Sequence, residues 1–120
     1  MDLLKERLRK FQIELSERQI SQFQTYYKLL MEWNSFMNLT AITDISEVID
    51  KHFTDSISLV KAVPDLADRD YTMIDVGTGA GFPGIPLKIV FPGLKITLLE
   101  KKLVEIRILL QIILKHKIKN

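Results

Sequence analysis

Between residues 71 and 99 the chain runs apolar, turns through a cluster of glycines and runs apolar again, and this succession constrains the fold more than any other stretch. Residues 71–76 (Tyr-Thr-Met-Ile-Asp-Val) form a short apolar run that ends at glycine, the profile of a buried parallel strand. Residues 77–84 form the turn. Pro83 suits the first position of a helix, and Ile85, Leu87, Ile89 and Val90 continue that helix until Pro92-Gly93 stops it. Residues 94–99 make the next strand, which ends at Glu100. A strand–helix–strand unit of this kind belongs to an α/β fold.

The turn, Asp75-Val76-Gly77-Thr78-Gly79-Ala80-Gly81-Phe82-Pro83-Gly84, also carries chemistry. Glycines let a backbone turn sharply and approach a ligand with no Cβ in the way. The following helix is expected to aim free N–H groups at the same space. Glu100 lies twenty-one residues beyond Gly79, at the end of the neighbouring strand, where a carboxylate can accept both hydroxyls of a ribose. Together these features point to a nucleoside cofactor. Gly79-x-Gly81-x-x-Gly84 fits a dinucleotide fingerprint. Asp75-x-Gly77-x-Gly79-x-Gly81 fits the pattern of S-adenosylmethionine (AdoMet) sites. Charge favours the second, because Asp75 would repel a pyrophosphate and attract an ammonium or sulfonium. A tight turn without a ligand is the plain alternative.

Helices precede this unit. Leu4, Leu8, Phe11 and Leu15 recur at helical spacing. Ser16 with Gln19 is a capping-box pattern that starts a second helix, whose stripe is Ile20, Phe23, Tyr27, Leu30, Met31, Trp33 and Met37. Residues 38–43 read as an extended loop. Asp44 or Ser46 caps one short helix, Thr54 or Asp55 caps another, and Pro64 with the polar stretch 65–70 ends the second. The expected division is a helical cap over 1–66 and an α/β unit over 67–120, packed as one compact body.

Composition removes several function classes. The chain has 120 residues and no cysteine, which excludes disulfide scaffolds, Cys-based zinc sites and thiol nucleophiles. No metal site is expected. The N-terminus alternates charges and lacks a signal-peptide core, and no run is long enough to span a membrane, so a cytoplasmic protein is expected. Residues 1–100 carry 11 basic and 14 acidic side chains, a net −3; residues 101–120 carry 6 and 1, a net +5. The tail is helical in pattern and apolar nearly all round, through Leu103, Ile106, Leu110 and Ile113 on one face and Ile108, Leu109, Ile112 and Leu114 on others. Two strands alone leave raw edges. The chain is therefore expected to be marginally stable, self-associating or part of a larger product.

A family resemblance rests on particular residues. Leu30-Met31-Glu32-Trp33-Asn34, Asn38-Leu39-Thr40-Ala41-Ile42, Glu47, His52-Phe53 and Asp55-Ser56 resemble the N-terminal signature of the glucose-inhibited division protein B family. Residues 75–87 resemble its glycine motif, including the Phe-Pro-Gly-Ile-Pro continuation. The resemblance covers about residues 20–100; beyond Glu100 the tail departs from the family's continuation and reads as a disrupted or divergent chain end. It implies the start of a Rossmann-like, AdoMet-dependent methyltransferase domain whose C-terminal strands are missing. The activity implied is methylation of guanine N7 in 16S ribosomal RNA, with ribosomal RNA or the small subunit as partner. Asp75, Gly77, Gly79, Gly81, Phe82 and Glu100 would form the AdoMet site. Asn38 or Asp55 would orient the guanine edge and His52 would meet an RNA phosphate. Each has a structural reading beside it: Asn38 as a turn former, Asp55 as an N-cap and His52 as a satisfied half-buried ring. As a truncated chain it is expected to be impaired. The alternatives are a non-catalytic remnant or helical interaction module, and a dinucleotide-binding oxidoreductase fragment.

Overall fold

The computed structural model describes residues 1–69, 71–76 and 81–99. Helix α1 (Asp2–Arg9) buries Leu4 and Leu8, one turn apart on one face. It ends sooner than the spacing of Phe11 and Leu15 suggests. Gln12 takes a left-handed φ of 57°, its N–H bonds the Arg9 carbonyl, and the Ile13 N–H bonds the Leu8 carbonyl. That pair of bonds is a Schellman closure, made here without glycine. Phe11 and Leu15 still pack against the core from beyond the helix. Arg7 pairs with Asp50 at 2.7 Å, which ties α1 to the helical run that follows α2.

Helix α2 (Glu17–Met37) starts at the expected box. Ser16 Oγ accepts the Gln19 N–H at 3.1 Å, and Gln19 Oε1 accepts the Ser16 N–H at 2.9 Å. The Gln19 amide also donates to the carbonyls of Ile89 and Val90, so one side chain starts α2 and ties it to the end of a later helix. Phe23, Tyr26 and Leu30 are the fully buried members of the α2 face. Tyr26 occupies the place that the sequence pattern assigned to Tyr27, which is half-buried and donates its hydroxyl to the Thr43 carbonyl.

Asn38, at φ 50°, ends α2. Asp44 then caps α3 (Ile45–Val48) by accepting the N–H groups of Ser46 and Glu47. The second short helix expected after Thr54 is not separate. The path continues from α3 through a π-helical segment, Ile49–Thr54, into α4 (Asp55–Ile57) and a 3-10 turn, Ser58–Lys61. Thr54 and Asp55 both have helical dihedrals, so neither starts a helix. The reason is the wider i→i+5 pitch, which absorbs an extra residue without breaking the run. The run ends at Lys61, three residues before Pro64.

Strands β1 (Thr72–Val76) and β2 (Lys95–Leu99) pair in parallel, from Thr72 opposite Lys95 to Val76 opposite Leu99. Helix α5 (Gly84–Val90) connects them and buries Ile85, Pro86, Leu87, Ile89 and Val90. Lys88 Nζ bonds the carbonyls of Pro92 and Leu94 and closes the turn into β2. The expectation that β1 is buried on both faces needs correction: Ile74 is 60% exposed, while Asp75 on the opposite face is buried. One hydrophobic cluster runs from Leu4 and Leu8 through Phe23, Leu30 and Phe53 to Ile85 and Leu94. The architecture is thus mixed, with helices against a small parallel sheet. Among the described residues no helix is long and apolar enough to cross a membrane. The expected tail helix lies outside the described residues.

Candidate functional site

The C-terminal end of β1 brings Asp75 to the start of α5. Asp75 is 8% exposed, and its Oδ2 accepts the Gly84 N–H at 3.0 Å. This corrects the expectation of free N–H groups at that helix start, since a carboxylate of the chain itself holds one of them. A buried carboxylate bonded to a backbone N–H is a strong local cap. It also places negative charge where an anionic ligand group would otherwise sit.

Gly81 takes a φ of +99°, a left-handed conformation that L side chains rarely adopt. A Cβ there would lie 2.3 Å from Ile85 Cδ1 and 2.9 Å from the Tyr26 hydroxyl. The backbone at Gly81 is thus pressed against α2 and α5, and its carbonyl accepts the Ile85 N–H at 2.7 Å. Burial and the neighbouring Asp75 charge hold the Tyr26 hydroxyl well above its ordinary pKa, so it stays protonated. Sequence reasoning passed over Tyr26, although its spacing of three from Phe23 and four from Leu30 is the core signal.

Phe82 follows Gly81 and joins an aromatic cluster. Its ring lies 5.6 Å from Tyr26 and 6.1 Å from Phe53, centroid to centroid, and stacks on His52 at 4.3 Å with planes 15° apart. The stack joins the glycine turn to the π-helical segment. The two elements border a cleft of about 370 Å³, lined by Lys51, His52, Asp55 and Ser58 on one side and by Phe82 and Pro83 on the other. The Phe82–Pro83 peptide is cis.

His52 is half-buried, and its Nε2 lies 2.9 Å from Thr40 Oγ1. Desolvation pushes its pKa below the usual imidazole range, partly offset by Asp55 and by the backbone of Lys51. Asp55 is exposed and lines the cleft; it sits inside the helical run, so its N-cap reading falls away. Asn38 is exposed at the end of α2, does not line the cleft, and has the local part of a left-handed C-cap. The structure thus brings His52, Asp55 and Phe82 together and leaves Asn38 aside. Gly77, Gly79 and Glu100 lie outside the described residues. Among the described residues no group of three or more His, Asp or Glu side chains is arranged to hold a metal.

Comparison with known proteins adds to this geometry. The family profile GidB, described as rRNA small subunit methyltransferase G, matches residues 19–120. The chain is 50% identical over 113 residues to the ribosomal RNA small subunit methyltransferase G of Lachnoclostridium phytofermentans, covering 94% of this chain and 46% of that protein. It is 57% identical over 88 residues to the protein of that name from Staphylococcus saprophyticus, covering 73% and 36%. The Acetivibrio thermocellus protein is 56% identical over 90 residues, covering 75% and 36%. The chain thus spans less than half the length of these relatives. The family match runs on through residue 120, past the stretch that carries the motif resemblance.

Proposed function

This chain belongs to the rRNA small subunit methyltransferase G family, and from that premise we propose that it supplies the methyl-donor turn and one wall of the base-binding cleft of an AdoMet-dependent enzyme acting on guanine N7 of 16S ribosomal RNA. The single observation that carries this reading is the His52–Phe82 stack. It sets the polar residues of the helical run directly against the glycine motif, so that a base in the cleft and a cofactor at the turn would be neighbours.

The residues present fit an AdoMet cofactor. The buried Asp75 carboxylate suits a cationic ligand and disfavours a pyrophosphate, and it already holds the Gly84 N–H that a phosphate would need. Gly81, with no room for a side chain, keeps the backbone close to α5. Asp75, Gly77, Gly79, Gly81, Phe82 and Glu100 are the residues that would hold the cofactor. When bound, it supplies an electrophilic methyl group on a sulfonium. Guanine N7 already carries a nucleophilic lone pair, so the protein needs no strong base, only alignment. Asp55 can accept hydrogen bonds from the N1–H and exocyclic amine of guanine, and Lys51 and His52 can meet the ribose-phosphate backbone at the cleft rim. In this reading residues 67–120 begin a Rossmann-like domain, residues 1–66 form its cap, and the remaining strands belong to the part of the relatives that this chain does not span.

Calorimetric titration of the chain with AdoMet and with NAD tests the proposal. AdoMet binding that weakens in Phe82→Ala and Glu100→Ala is expected. NAD binding without AdoMet binding would favour the oxidoreductase alternative, and binding of neither would favour a non-catalytic module.

A further inference from the structure

The loop between α2 and α3 contains a hydrogen-bonded chain that ends at the cleft. Asn34, in the last turn of α2, accepts the Thr40 N–H on Oδ1 at 2.8 Å. Thr40 Oγ1 accepts the Ile42 N–H at 3.1 Å and lies 2.9 Å from His52 Nε2. The His52 ring then lies flat on Phe82. A hydroxyl has one hydrogen and two lone pairs. With the Ile42 N–H on one lone pair, the hydroxyl keeps its hydrogen and a second lone pair; its partners among the described residues are the Ile42 N–H and His52 Nε2, so the hydrogen meets an acceptor of the chain only when it points at His52.

We propose that Thr40 is a positioning residue that donates its hydroxyl hydrogen to His52 Nε2, fixes the ring as the Nδ1–H tautomer, and thereby holds it flat against Phe82 at the cleft. Two independent contacts hold the pair in place. Asn34 anchors the Thr40 backbone, so the hydroxyl is presented from a fixed point. Phe82 lies against the ring face, so rotation about the Cβ–Cγ bond would cost both the stack and the hydrogen bond. A neutral ring also suits the half-buried setting. Among the described residues, the ionisable groups near the ring are Asp55 and Lys51 on its own helical run; Thr40 and Phe82, which touch it from the other elements, carry no charge. The tautomer assignment rests on the hydrogen-bond partners of the Thr40 hydroxyl, whereas its bearing on base alignment rests on the function proposed above.

Long-range ¹H–¹⁵N spectra of the full chain, with His116 identified through a His116→Gln variant, test the assignment. His52 is expected as the Nδ1–H tautomer, with cross-ring NOEs to Phe82. Thr40→Val should abolish both signatures, and Thr40→Ser, which keeps the hydroxyl, should restore them. An Nε2–H ring in the parent chain overturns the proposal even if Thr40→Val fails to fold, and so does a folded Thr40→Val chain with unchanged spectra. Affinity for a 16S RNA fragment should fall about tenfold in Thr40→Val and recover in Thr40→Ser, the size of one ordinary hydrogen bond. If the parent chain binds neither RNA nor AdoMet, the functional reading fails, while the tautomer measurement still decides the part played by Thr40.

Discussion

Single residues at the end of β1 show how local constraint creates a site. Gly81 sits at φ +99° with Ile85 and Tyr26 against it, so Gly81→Ala has to move a side chain and accept a strained backbone together. A loss of about 3 kcal/mol is expected in denaturant unfolding, a sum of ordinary strain and overpacking costs. Asp75 is the buried acceptor of the Gly84 N–H. Asp75→Ala leaves that donor unpaired and should cost about 1–3 kcal/mol, most of which Asp75→Asn should recover through its amide oxygen. His52 gives a pH signature. Its pKa is lowered chiefly by desolvation, so the unfolded chain binds that proton more readily than the folded one. Stability is therefore expected to fall as pH drops through the ordinary imidazole range, and to stop falling below the depressed folded value. The stability difference between the parent and His52→Gln chains should be constant above neutral pH and shift against the parent as pH falls below it.

Elements were legible where their signal is local. The start of α2 follows from Ser16 and Gln19 alone, because both hydrogen bonds of the box lie within one turn. Ser16→Ala should lower stability by about 1 kcal/mol, readable as a shift of the urea midpoint at unchanged slope. The strands and α5 also fell within a residue or two of their expected places, since glycine and proline mark their ends. Two elements differ from the expectation. The end of α1 is set by the left-handed Gln12, a residue type that rarely signals a stop. The run from Ile45 to Lys61 reads in the sequence as two helices because Thr54 and Asp55 resemble a second helix start, whereas both lie within one continuous run that includes the π-helical segment. That segment puts Phe53 between Phe23 and Tyr26, with ring centroids 5.0 and 5.4 Å away. Phe53→Ala should cost about 3–5 kcal/mol, the usual result of emptying a buried aromatic site.

At the scale of the molecule, one apolar cluster includes residues from α1 through β2. The helices and the sheet unit are therefore expected to unfold together, with coincident midpoints by far-UV circular dichroism and by Trp33 fluorescence; two separated transitions would count against a shared core. The sequence by itself determined the helix-then-strand–helix–strand order, the glycine turn between parallel strands and the family, because caps, turns and hydrophobic period act over a few residues. It could not say which polar residues meet. Asn38, chosen from the sequence, ends a helix, whereas Asn34 and Thr40 connect to His52. It left Tyr26 unmarked and gave Asp75 no partner. Those facts depend on side chains distant along the chain, such as His52 and Phe82, being pressed together by burial of the common core, and only the tertiary structure decides such pairings.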